Sequence, residues 1–130
     1  MRLKAFTLTE LMTVLAIVGI LMLVAMPVFD SLFGDAYSIE AKNQLVYLHG
    51  RQQSHFQQYF RYSDDFRSIG FVHPETIQGE GTARYAYEIV RAGSEDFLAR
   101  ATAVADFDGD GNLNVWEIDS SGRPLEVIPD

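Results

Sequence analysis

The sequence predicts an α+β fold, a long N-terminal α-helix packed on a four-stranded antiparallel β-sheet, and three observations carry that prediction. An uncharged apolar run fills residues 11–29. Apolar residues then recur at three- and four-residue intervals to about residue 62, and beyond residue 83 the period falls to two.

The apolar run sets the first element. Nineteen residues pass without a charge, and as a helix at about 1.5 Å per residue they span roughly 28 Å, close to the hydrocarbon thickness of a bilayer. Arg2 and Lys4 precede the run while the acidic bulk follows it, which places the N-terminus in the cytoplasm and the head on the far side. A cleaved secretory signal is the plain alternative, but its apolar stretch is usually about 7–15 residues and has no use for a carboxylate at its entrance. Glu10 stands there. A simple anchor with Glu10 at the headgroup level is the other plain reading.

The helical pattern continues past Pro27, with Ala41, Leu45, Leu48, Gln52, Phe56 and Tyr59 on one face that suits packing on a sheet. A helix from Phe6 to about Tyr62 is roughly 85 Å long, so its second half lies outside any membrane. Gly34-Asp35 is a place where it can bend. Residues 63–82 hold four breakers, Gly70, Pro74, Gly79 and Gly81, and form the connector from helix to sheet. Tyr85, Tyr87 and Ile89 alternate with polar or small neighbours, as do Phe97, Ala99, Ala101 and Ala103. Two further strands are expected around 113–118 and 124–128, separated by Ser120-Ser121-Gly122, which completes an antiparallel meander over residues 83–130.

Composition narrows the function. Of 130 residues, 18 are acidic and 10 basic, and the net charge of -8 works against binding nucleic-acid phosphates directly. The absence of cysteine excludes disulfides, thiolate metal sites and thiol nucleophiles. His49 and His55 lie six apart with no third ligand, and no nucleophile with a base and no phosphate-binding glycine loop is present, so the chain is not expected to be an enzyme.

Residues 1–29 closely resemble the N-terminus of type IV pilins and related pseudopilins: a basic leader MRLKA, then Phe6, Thr7, Leu8, Thr9 and Glu10, then a long apolar helix. The resemblance implies that residues 1–5 are a leader and that the prepilin peptidase cuts between Ala5 and Phe6 and methylates the new amine of Phe6. The family usually has Gly before the cut, where this chain has Ala5. The resemblance further implies that residues 6–29 cross the membrane and then form the filament core, and that Glu10 pairs with the amine of Phe6 on a neighbouring subunit. An unpaired carboxylate in apolar surroundings is costly, so such pairing sets register as well as offsetting desolvation. Gly19 and Pro27 match positions between which the family's helix loosens on assembly; taken alone, Gly19 is equally a small residue of a membrane helix.

"DFDGDGNLNVWE", residues 106–117, follows the D-x-D-x-D-G…E pattern of a calcium loop. In that reading Asp106, Asp108 and Asp110 supply carboxylate oxygens, Asn112 a backbone carbonyl, Asn114 a direct or water-mediated contact, and Glu117 two oxygens. Strands flank the loop, so Glu117 lies about 10 Å beyond Asn114 and the three aspartates are the better ligands. The same residues also suit a tight turn that holds no metal.

The expected function is therefore a structural subunit, the major pilin of a type IV pilus that serves adhesion, twitching motility or DNA uptake. Its partners are other copies of itself, the prepilin peptidase, and the inner-membrane assembly platform with its ATPase motor. It starts in the inner membrane with its head in the periplasm and ends in a surface fimbrium. A pseudopilin of a type II secretion system shares the same N-terminus, and a membrane-anchored calcium-binding module that never polymerises is the rival from another class.

Overall fold

The computed structural model describes residues 6–129, in the order α1 (Leu8–Tyr59), β1 (Tyr85–Ala92), β2 (Phe97–Ala103), β3 (Val115–Asp119) and β4 (Leu125–Ile128). The strands form one antiparallel sheet in the order β1-β2-β3-β4. This is the α+β arrangement that the change of period predicts, a long helix laid on a four-stranded meander.

α1 runs unbroken for 52 residues, about 78 Å at helical rise. It passes through Gly34-Asp35 without a break, and the Ser38 hydroxyl there donates to the Gly34 carbonyl at 3.1 Å. The helix stops at Tyr59 rather than near Tyr62. Phe60 takes the left-handed conformation, φ 55°, and its N–H closes the last turn on the Phe56 carbonyl at 2.8 Å. That conformation costs a non-glycine residue about 1 kcal/mol or more. Tertiary bonds hold it in place: the Tyr62 N–H reaches the Gly93 carbonyl at 2.8 Å, and buried Gln52 clasps both backbone groups of Ser63 at 2.6 and 3.0 Å.

The core lies between the C-terminal half of α1 and the inner face of the sheet. Ala41, Leu45, Leu48 and Gln52 are fully buried on β2 and β3. Ala99, Ala101 and Ala103 of β2 give the helix room to approach, and Tyr85, Phe97, Trp116 and Ile118 fill the flanks. Burying Leu45 and Leu48 contributes on the order of 2 kcal/mol each. At one end Tyr62 stacks on Phe56 and tilts against Phe97, with centroids 4.8 and 4.9 Å apart. At the other, towards the apolar half of the helix, Tyr37 meets Phe107 at 4.7 Å.

The connector between α1 and β1 is pinned by backbone groups. The Arg51 Nε donates to the Ile69 carbonyl at 2.7 Å. His73 donates from Nδ1 to the Pro74 carbonyl, and its Nε2 accepts the Tyr87 N–H at 3.1 Å on the free edge of β1. Gly81 folds so tightly onto Glu75 that a Cβ there would overlap the Glu75 carbonyl. The helix face, the two hairpins and this connector leave the N-terminal half of α1 outside the core.

Candidate functional site

Leu8–Met26 has a mean hydropathy of 2.4 and none of it is buried in the molecule, so its apolar side chains have only lipid or another protein to cover them. Its start is capped by its own side chains. Thr7 is the N-cap, and its hydroxyl accepts the Glu10 N–H at 3.3 Å. In return the Glu10 Oε2 accepts the Thr7 N–H and the Thr7 hydroxyl, both at 3.0 Å. This reciprocal capping box satisfies two helix donors that an apolar surrounding would otherwise leave unpaired. Thr7-Leu8-Thr9-Glu10 carries the S/T-x-x-E signature, so the role of Thr7 was there to be read in the sequence. Among the described residues nothing bonds the Glu10 Oε1. One carboxylate oxygen thus holds the helix end while the other stays open to a donor from outside the chain.

Phe6 stands one residue ahead of the cap, 84% exposed. Ala5, the residue before the expected cut, lies outside the described residues. Gly19 is helical and exposed, and a Cβ placed there meets nothing within 4 Å. Pro27 is also helical, and without an amide hydrogen it leaves the Leu23 carbonyl lacking its usual intrahelical donor. Both positions that weaken a helix therefore fall on the exposed half of α1 or just beyond it.

The acidic loop is organised around Asp106. Its two carboxylate oxygens accept the N–H groups of Gly109 and Gly111, at 2.7 and 2.8 Å. Those bonds, Gly111 first, hold its carboxyl below the usual aspartate range. Gly111 has φ +92°, a left-handed conformation that suits the sharp turn. Asp108 accepts the Asp110 N–H, and Asp110 accepts both the backbone N–H and the side-chain amide of Asn112. The structure brings together oxygens of Asp106, Asp108 and Asp110 within 4.8 Å of one another, all exposed. Three convergent carboxylates are hard-cation donors.

The last two members of the twelve-residue pattern stand apart from the three aspartates, Glu117 as the flanking strands predict and Asn114 against the expectation that it faces the loop. Asn114 is 0% exposed and turned inward: its Oδ1 accepts the Tyr85 hydroxyl at 2.8 Å, and its Nδ2 donates to Glu126 and to the Ile128 carbonyl at 2.8 and 3.0 Å. Glu117 sits on β3 opposite Arg100 of β2, whose guanidinium it binds at 2.7–2.8 Å, with Glu88 of β1 joining at 3.3 Å. β3 begins at Val115, so the flanking backbone is extended where a helical calcium loop would curl back.

Comparison with known proteins places these features. Residues 1–26 match the prokaryotic N-terminal methylation motif. The chain is also 40% identical over 92 residues to the type IV major pilin protein PilA of Myxococcus xanthus (strain DK1622), an alignment that covers 71% of this chain and 39% of that protein. The chain thus spans about two fifths of the length of the curated relative it matches.

Proposed function

We propose that this chain, which carries the N-terminal segment of the type IV pilin family, is a structural subunit that is processed ahead of Phe6 and polymerises through its apolar helix into a type IV pilus, as its major pilin. One observation supports this above the others: a wholly exposed apolar helix that begins at a capped glutamate with one oxygen free. A neighbour's α-amine at Phe6 is the donor that oxygen would accept. The contact satisfies a charge in apolar surroundings only when two subunits are correctly staggered, which makes Glu10 a device for register. Prepilin processing and assembly at the inner membrane follow from the same reading, with the head outside and the finished filament at the cell surface. Adhesion, twitching motility or DNA uptake would be properties of that filament.

The test is Glu10→Ala in the full-length chain, with filaments counted by electron microscopy after shearing. The substitution is expected to cut filament yield at least tenfold while leaving the head folded. An unchanged yield would favour a monomeric anchor. Loss of exoprotein secretion without loss of surface filaments, on deleting the gene, would move the assignment to a secretion pseudopilin.

The acidic loop supports a further part of the proposal, a calcium ion held by Asp106, Asp108 and Asp110. The three carboxylates converge, and each retains lone pairs beyond those used on backbone amides. An ion there neutralises their mutual repulsion and braces the link from β2 to β3 in a chain that has no cysteine to do so.

A further inference from the structure

Where α1 ends, the connector folds back along its last turns and borders a cavity of about 130 Å³, lined by Arg51, Ser54, His55, Gln58 and Tyr59 of the helix and by Ser68. Arg51 is fixed there. Its Nε donates to the Ile69 carbonyl at 2.7 Å, which leaves both terminal nitrogens of the guanidinium for other acceptors. Gly70 makes room for them: its φ of +65° turns the connector, and a Cβ at that position would overlap the Arg51 Nη2.

Among the described residues no carboxylate pairs with Arg51, and the ion pairs of the head belong to Arg91 and Arg100. Asp65, beside Ser68 at the rim, is spent on the Arg67 N–H and the Ser68 hydroxyl, at 3.1 and 2.9 Å. A half-buried guanidinium has given up part of its hydration, and such a cation calls for an acceptor of opposite charge. The rest of the lining suits the same partner. The Gln58 amide and the Tyr59 hydroxyl make no hydrogen bond among the described residues, so both have donors to offer. The Tyr59 ring packs on His55 with centroids 4.6 Å apart, and His55 is held in turn through Nδ1, which donates to the Arg61 carbonyl at 2.8 Å. The left-handed turn at Phe60, costly for a non-glycine residue, is what returns that carbonyl to the helix.

We propose that the cavity beside Arg51 is a binding site for a small oxyanion, a carboxylate or a phosphate, gripped by the guanidinium fork with the Gln58 amide and the Tyr59 hydroxyl as further donors. A guanidinium matches two oxygens of either group with two parallel N–H bonds. From Met26 to Arg51 the helix rises roughly 38 Å, so the site clears any membrane around the apolar segment and meets ligands from water. Every group named belongs to one copy of the chain, and the site needs no neighbour.

The test uses the full-length, nitrogen-15-labelled chain in detergent micelles, titrated at neutral pH and constant ionic strength with sodium phosphate and, separately, with sodium acetate. The backbone amide signals of Ser68 and Ile69 report on the cavity. At least one of the two anions is expected to shift them saturably, and the one with the lower half-saturation identifies the ligand's headgroup. Ser54→Leu fills the rim and removes only a hydroxyl bonded back to the Gly50 carbonyl at 3.0 Å, so its melting is expected to match the parent. Half-saturation is expected to rise at least tenfold in Ser54→Leu and in Arg51→Gln, and to hold in Arg123→Gln, an exposed arginine between β3 and β4. Absence of a saturable shift with either anion, or parental half-saturation in Ser54→Leu, would overturn the site, whether or not Arg51→Gln keeps its connector folded.

Discussion

The Asn114 side chain, just ahead of β3, is bonded to β1 through the Tyr85 hydroxyl and to β4 through Glu126 and the Ile128 carbonyl, while its backbone carbonyl accepts the Ala103 N–H of β2. One buried residue therefore ties three strands, two through its side chain and the third through its backbone carbonyl, and both amide hydrogens are used. Asn114→Leu removes the side-chain bonds to Tyr85, Glu126 and the Ile128 carbonyl, a loss expected to be about 3 kcal/mol. Thermal unfolding in detergent checks this; a change within about 0.5 kcal/mol would mean that water replaces the amide at no cost. Thr7 and Glu10 work by the same economy at the other end of the molecule. Each satisfies the other, and the pair still leaves one oxygen for a partner.

Among the elements, the acidic loop ties its own backbone through Asp106 and then presents three carboxylates outward. If calcium binds there, excess chelator is expected to lower the melting temperature of the head by several degrees and added calcium to restore it; equal melting with and without chelator would contradict the ion. The three aspartates were legible because the whole cluster lies within five residues of sequence. The displacement of Glu117 was legible as well, because strands flank the loop; the inward turn of Asn114 was not, because its partners Tyr85, Glu126 and Ile128 come from other strands. The helix and strands were legible for a related reason: their periods of 3.6 and 2 are written in neighbouring residues such as Leu45 and Leu48, or Ala99 and Ala101. The end of α1 and the path of the connector were hidden. They depend on Gln52 with Ser63, Arg51 with Ile69 and His73 with Tyr87, polar contacts to backbone groups that no local period reveals.

The whole molecule couples an apolar helix to an acidic head, and acid tests the head as a unit. Bonds from Arg91 and then Ser120 hold the Asp96 carboxyl below the usual aspartate range; Ser121 does the same for Asp119, and the amides of Gly111 and Gly109 for Asp106. A carboxylate whose folded value is depressed contributes stability above its unfolded value, about 3.9, and that contribution is lost as pH falls through the folded value. The head is therefore expected to melt at a lower temperature at pH 3 than at pH 6, and Asp96→Asn, which removes the titrating charge paired with Arg91 while its amide oxygen can still accept from Ser120, to flatten that dependence. Equal slopes in parent and variant would show that other carboxylates carry the effect.

Everything assigned to assembly requires that the apolar helix begin at Phe6 and be kept. Mass spectrometry of the mature chain tests this most directly. The account predicts an N-terminus at N-methylated Phe6, with Glu10 and the whole of Leu8–Met26 retained; an N-terminus near Met26, the product of an ordinary signal cleavage, would contradict it.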